Sequence, residues 1–193
     1  MDAIETLMNE HRTIERVIDA LVAFTADARL RGATDREELT RFVGFLTGFA
    51  DRLHHGKEED VLFAAMARHG FPTEGGPIAV MLAEHGRGRA FIQVMAAATE
   101  GDAPWTDADR RRIAEAAAGY GLLLRSHIHK EDAILYPMAE QHLPPPALEA
   151  VGEACERFDA EPGHSALHAH LLGVAAELVA RHVPSVHPQE ILP

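Results

Sequence analysis

Cysteine is almost missing from this chain: there is one, Cys155, in 193 residues. An internal disulfide framework is therefore excluded, as is cysteine-rich zinc or iron–sulfur ligation, and a reducing, cytoplasmic setting is the expectation. Positive charge is also short. Lys and Arg number 18 against 30 Asp and Glu, and the resulting net charge of −12 repels both a phosphate backbone and an anionic membrane surface. No nucleic-acid partner and no membrane partner is expected. Long apolar runs are lacking too, none approaching the roughly 18 residues a spanning helix needs. The opening Met1-Asp2-Ala3-Ile4-Glu5 has no basic region leading into an apolar stretch, so neither export nor insertion is expected. What the chain does have is 47% hydrophobic residues, enough to fill a sizeable core and to exclude a disordered polymer. Histidine is out of proportion. Its 13 copies outnumber the eight Phe, two Tyr and one Trp together, and imidazole is the commonest metal ligand.

Apolar residues recur at helical spacing throughout, and no segment alternates at period two. Ile4, Leu7, Ile14, Ile18 and Leu21 mark a first helix ending near Arg31-Gly32-Ala33. Thr34 or Asp35 is expected to cap a second, which carries Leu39, Phe42, Leu46, Phe49, Leu53 and Leu62 to about His69. Gly70-Phe71-Pro72 and Gly75-Gly76-Pro77 break it, and Pro77 suits the first turn of a third helix, which ends at Gly101-Asp102-Ala103-Pro104. Thr106 and Asp109 read as a capping box for a fourth helix, stopped by Leu143-Pro144-Pro145-Pro146. The expected fold is all-α: an antiparallel up-down four-helix bundle over residues 1–143, with residues 144–193 as a C-terminal helical accessory, interrupted at Pro162-Gly163, and a tail.

The sequence contains one pattern twice. His54-His55-Gly56-Lys57-Glu58-Glu59-Asp60-Val61-Leu62-Phe63 aligns with His127-Ile128-His129-Lys130-Glu131-Asp132-Ala133-Ile134-Leu135-Tyr136 at an offset of 73, and Glu10-His11 aligns with Glu84-His85 at 74. Each half thus supplies a lone histidine from one helix and an H-x-x-x-E pair from the next. Residues four apart share a helix face, and the rows Leu46-Ala50-His54-Glu58-Leu62 and Leu124-His127-Glu131-Leu135 put these faces inward. His11 follows Leu7 by four, and His85 follows Met81 by four. In an antiparallel hairpin, residues equidistant from the turn sit level. The midpoints of 11/54, 54/85 and 85/127 are 32.5, 69.5 and 106, each at a proposed break. His11, His54, Glu58, His85, His127 and Glu131 can therefore share one layer.

A single inward histidine is most often a hydrogen-bonded core residue, and an i,i+4 His/Glu pair is commonly a solvated one. Six level groups are different. Two buried carboxylates among four imidazoles, with no Lys or Arg evident in the layer, cost several kcal/mol unless a cation neutralises them. Six donors exceed the four of a closed zinc site, and mixed imidazole and carboxylate ligands suit iron or manganese, with the carboxylates able to bridge two ions. A ferritin-type site needs inward Glu-x-x-His motifs. The only match, Glu161-Pro162-Gly163-His164, is broken by Pro and Gly.

At these residues, and above all in His127-Ile128-His129-Lys130-Glu131-Asp132-Ala133-Ile134-Leu135-Tyr136-Pro137, the chain resembles the hemerythrin-like, or HHE cation-binding, family over about residues 1–142. The resemblance implies a four-helix bundle holding two iron ions, oxo or hydroxo bridged, with manganese or zinc as other possible metals. It implies His11, His54, Glu58, His85, His127 and Glu131 as ligands, with the glutamates bridging. Two departures stand out. Oxygen-carrying hemerythrins have H-x-x-x-H on the third helix, but four after His85 stands Arg89. They also use H-x-x-x-x-D on the fourth, which leaves Asp132 as an alternative to Glu131. Four histidines and two bridging carboxylates fill eight of the roughly twelve positions of two octahedral ions, and an oxo or hydroxo bridge two more, leaving about two open. The implied function is a di-iron protein that binds or reacts with a small oxidant (oxygen, peroxide or nitric oxide). Alternatives are an iron or oxygen sensor whose metal occupancy controls a partner surface, and a structural metal site without turnover. Among the remaining residues, His55 and His129 are candidates for supporting or surface positions, and Tyr120 for core. His164 and His168 are expected to be solvated. His69, His142, His182 and His187 should lie at helix ends or in the tail, and Cys155 should be packed.

Overall fold

The computed structural model describes residues 3–26 and 33–182. It is all-helical, with six helices and, among the described residues, no strand. Helix α1 is Ala3–Ala26. Helix α2 spans 33–68 without a break, passing from Ala33–Phe45 through π-helical turns at Leu46–His55 and Glu58–Phe63 to Ala64–Arg68. Helix α3 is Gly76–Thr99, and α4 spans 107–142 with a π-helical turn at Glu131–Leu135. Helices α5, Pro145–Asp159, and α6, His164–Arg181, follow.

The expected punctuation is mostly where the side chains put it. Thr106 Oγ1 accepts from the Asp109 N–H at 3.2 Å while Asp109 Oδ2 accepts from the Thr106 N–H at 2.9 Å, a complete capping box. Pro77 lies in the first turn of α3, and Gly75, with φ of 78°, precedes that helix in a conformation other residues adopt only with strain. The residues that lead into α2 and the expected cap at Thr34 lie outside the described residues and side chains. Ala33 is the first described residue of the helix, and acidic Asp35 in its first turn suits the positive helix end. Arg31, Gly32 and His187 lie outside the described residues. Helix α4 continues past Pro137, whose missing N–H fits the i→i+5 turn just before it.

Helix α4 packs against α3 and α1, and α2 against α3 and α6. Two hydrophobic clusters result. One contains Ile14, Phe49, Ile92 and Leu124; the other contains Leu7, Leu62, Met81 and Leu135. Each candidate ligand lies in sequence between a member of the first and a member of the second, so the six polar side chains form a layer between two apolar compartments. The C-terminal helices cover this arrangement from outside: α6 adds Leu171, Ala175 and Leu178 to the first cluster, and α5 adds Val151 and Cys155 to the second. Close approach there depends on glycine, because a Cβ on Gly48 would lie 2.7 Å from Leu171 Cδ1 and one on Gly56 2.9 Å from Phe158 Cζ. No helix among the described residues is long and apolar enough to cross a membrane.

Candidate metal centre

The structure brings all six sequence-selected residues together. His11, Glu58 and Glu131 are fully buried, and His54, His85 and His127 are each 1% exposed. Ligand atoms of His11, His54, Glu58 and Glu131 lie within 4.8 Å of one another, and so do those of His55, Glu58, His85 and His127. Glu58 belongs to both groups. Glu131 spans them as well, since its Oε1 is 3.0 Å from His127 Nε2 and its Oε2 3.2 Å from His11 Nε2.

The π-helical turns fall on this layer. His54, His55 and Glu58 lie in those of α2, and Glu131 opens that of α4. An i→i+5 turn rotates the chain less per residue than an α-turn, so adjacent side chains diverge less, a feature frequent at functional sites. His54 and His55 both end up inside for this reason.

Each of the four histidines is oriented by a carboxylate at its outer nitrogen. His11 Nδ1 donates to Asp132 Oδ1 at 2.7 Å, His54 Nδ1 to Glu10 Oε2 at 2.9 Å, His85 Nδ1 to Glu59 Oε1 at 2.7 Å and His127 Nδ1 to Glu84 Oε2 at 3.0 Å. An ionised carboxylate only accepts, so Nδ1 carries the hydrogen and the Nε2 lone pairs point inward, the arrangement that fixes imidazole for a metal. Asp132 meets His11 at its outer edge, where it also pairs with Arg12, whereas Glu131 is among the converging atoms.

The converging atoms lack donors of their own. Glu58 Oε2 and both oxygens of Glu131 are buried without a hydrogen-bond partner. His85 Nε2 and His127 Nε2 approach to 3.0 Å. Two donors at right angles around one ion, each about 2.1 Å from it, are about 3.0 Å apart, so this spacing fits a shared cation. Protons take that role otherwise. Burial lowers the basicity of His11, but the Asp132 and Glu131 carboxylates outweigh it and raise its pKa to about 9. Burial likewise disfavours protonated His85, yet Glu58 and Glu59 raise it to about 9. Burial alone would push Glu58 up, but His54 and His85 hold it well below the usual carboxylate range. The layer thus demands positive charge, and its donor set fits transition-metal ions.

Three features escaped the sequence reading. A lysine does adjoin the layer: Lys57 is fully buried, its Nζ 2.5 Å from Glu10 Oε1 and 3.1 Å from Asp159 Oδ1. It sits behind His54, gripping the carboxylate that orients it. The repeat holds the signal, because Lys130 grips Glu84 behind His127 in the same way. Lys57/Lys130, Glu10/Glu84 and Glu59/Asp132 are the aligned pairs of the two copies. His55 is not peripheral but 4% exposed, stacked on His85 with ring centroids 3.8 Å apart, whereas His129 is exposed. His164 is not solvated either. It is 8% exposed and donates from Nδ1 to the Phe158 carbonyl at 2.8 Å, closing the α5–α6 corner. His168 is half-buried against Phe49. Tyr120 and Cys155 are packed as expected, and burial pushes the Cys155 thiol up to about 11.

Similar sequences exist in Mycobacterium tuberculosis and Mycobacterium bovis, in proteins described as uncharacterized, 26% identical over 138 residues. That alignment covers 70% of this chain and 52% of each relative, so the chain spans about half the length of the curated relatives it matches. No solved structure matches. The family model described as the hemerythrin HHE cation binding domain matches residues 2–139, a stretch that holds all six inward histidines and glutamates, the four carboxylates behind them and both lysines. The chain belongs to the hemerythrin HHE cation-binding domain family.

Proposed function

We propose that this chain is a non-haem di-iron protein that binds or reacts with a small oxidant: oxygen, peroxide or nitric oxide. In this reading residues 1–143 are the antiparallel up-down four-helix bundle and 144–193 its accessory, and the protein works in the cytoplasm on a small molecule. His11 and His54 would hold one ion and His85 and His127 the other, with Glu58 and Glu131 available to both. The observation that carries the reading is the set of three buried carboxylate oxygens without a hydrogen-bond donor, facing imidazole nitrogens whose opposite edges are committed to carboxylates.

When bound, two irons supply one-electron changes at each of two adjacent centres, and therefore two-electron chemistry toward an oxidant. The protein's own residues do the rest. Glu10, Glu59, Glu84 and Asp132 fix the ring planes and strengthen the imidazoles as donors. Tyr136 donates from its hydroxyl to Glu58 Oε1 at 2.6 Å, restricting one bridging carboxylate, and burial beside Glu58 keeps that phenol protonated. Apolar compartments above and below exclude bulk water, which strengthens every electrostatic interaction in the layer.

A second reading, a sensor of iron or oxygen, is favoured by one contact. Lys57 joins Glu10, the support of His54, to Asp159 at the end of α5, so the C-terminal helices are tied to a metal-orienting residue. Iron stoichiometry with the optical spectrum of the oxidised protein tests the main proposal. Two irons per chain are expected; a single zinc after iron-replete expression would overturn it.

A further inference from the structure

Among the described residues, four buried side-chain oxygens lack a hydrogen-bond partner. Three belong to Glu58 and Glu131 in the layer, and the fourth is the hydroxyl of Tyr120, a side chain 1% exposed. Tyr120 lies in the first hydrophobic cluster, where the other polar ring group, the Trp105 N–H, is satisfied by the Ala98 carbonyl at 2.8 Å. A buried hydroxyl is seldom left unpaired, because it gives up water without replacement.

The position of this hydroxyl relates it to the layer. His85 and His127 are level, their Nε2 atoms 3.0 Å apart. Helices α3 and α4 pass in opposite directions here, Glu84 meeting Lys130, Gly88 meeting Tyr120 and Phe91 meeting Gly119. Tyr120 leaves α4 two turns before His127, about 10.5 Å along the axis, whereas Gly88 lies one turn past His85, about 4.5 Å out on the same side. The ring closes that difference: Tyr120 Cε2 is 3.5 Å from where a Cβ on Gly88 would stand. The phenol therefore leans from its own turn toward the layer, with the hydroxyl at its leading end. Among the described residues, Cε2 is also the sole heavy atom from outside that stretch of α3 within 4 Å of the Gly88 Cβ position, so the chain leaves room there. Burial and the Asp51 carboxylate, one turn before His54, keep the phenol protonated and hence a donor. In the other hydrophobic cluster the Tyr136 hydroxyl is already committed to Glu58 Oε1.

We propose that the Tyr120 hydroxyl is the hydrogen-bond donor to the small oxidant, which places the oxidant on the Gly88 side of the layer. The inference rests on the di-iron reading above. A phenol aimed at the outer atom of the bound molecule favours ligands that carry or gain negative charge, and it does so without adding a charged group to an apolar compartment.

The test uses the full-length protein, loaded with iron and oxidised, with azide as the probe. Metal analysis should give two irons per chain in wild type and in Tyr120→Phe, while optical titration shows azide bound about 10-fold or more weaker in the variant, the loss expected for one hydrogen bond to a charged acceptor. Resonance Raman bands of the azide complex should shift between H2O and D2O in wild type and not in Tyr120→Phe. Metal-free Tyr120→Phe should unfold in urea at or above the wild-type midpoint, since no partner within the protein is lost. Unchanged azide affinity and an unchanged deuterium shift, with both irons retained, refute the role of Tyr120 and leave the di-iron reading standing. A lowered midpoint of the metal-free variant assigns the hydroxyl to the fold and likewise refutes it. Wild-type protein that binds no iron overturns the di-iron reading, and the proposal with it.

Discussion

Lys57 and Lys130 occupy the same place in the two copies of the repeat, grip equivalent glutamates and differ mainly in burial, so replacing each by methionine is a controlled experiment. Lys57 is 0% exposed and holds Glu10, itself 8% exposed; Lys130 is 29% exposed and holds Glu84, 12% exposed. Burial lowers the charged form of Lys57, but Glu10 and Asp159 more than restore it, so its pKa is raised and an ammonium is what the substitution removes. Breaking a buried pair by deleting one partner costs about 3–5 kcal/mol, because the remaining carboxylate stays desolvated. The Asp159 contact adds little, since that side chain is 40% exposed and solvent screens it. The Lys130–Glu84 pair, whose ammonium is partly open to screening solvent, contributes about 1 kcal/mol. For a chain of this size each kcal/mol moves the midpoint roughly 2–4 °C, so Lys57→Met should lower Tm of the metal-free protein by about 6–20 °C and Lys130→Met by no more than about 4 °C. Urea unfolding followed by helical circular dichroism gives the free energies directly. Metal affinity should fall in both, by about 10–100-fold, because each variant loosens a carboxylate that orients a ligand. Losses within 1 kcal/mol of each other would show that burial of Lys57 does not govern its energetics, and the argument would fail.

Metal-free protein should also lose stability as pH rises. His11 and His85 have folded pKa values near 9 against about 6.5 unfolded, so the stability they add is complete below about pH 6.5 and disappears as pH passes 9. Each accounts for at most about 3 kcal/mol. Urea midpoints at pH 6 and 9.5 in the presence of chelator check the sign, and a higher midpoint at pH 9.5 would contradict it. His54→Ala and Glu131→Ala should each abolish stoichiometric iron binding, measured by metal analysis after gel filtration, while His168→Ala leaves it intact; loss of metal in His168→Ala alone would mean the site lies elsewhere. Asp132→Asn separates support from ligation, since it should still bind two metals with affinity lowered about 10–100-fold. Stoichiometry falling to that of Glu131→Ala would make Asp132 a ligand.

The layer was legible because its rule is short-range. Residues four apart share a face, and the apolar neighbours of His54, Glu58, His127 and Glu131 show which face is buried. The helix breaks were legible because proline, glycine and capping side chains act through the local backbone, as at Thr106 and Gly75. His55 was not, since on an ordinary α-helix it would point about 100° away from His54, and only the π-helical winding turns it inward. Lys57 was hidden for another reason: lysine is almost never fully buried unless paired, and its partners Glu10 and Asp159 are far away in sequence. The seating of α6 over Gly48 is likewise a contact between distant segments that helical periodicity does not encode.

The wide turns of α2 have a consequence for how such a chain tolerates insertion and deletion. An i→i+5 stretch accommodates one residue more per turn than ordinary winding, so removing a residue between 46 and 63 can be absorbed by tightening, with both ends of the helix keeping their seats against neighbouring helices. The outer scaffold would survive such an edit while the imidazoles swung out of alignment with Glu58. Overall shape and chemical competence are set by different intervals of the same helix, and a relative that keeps the six-helix outline need not keep the metals.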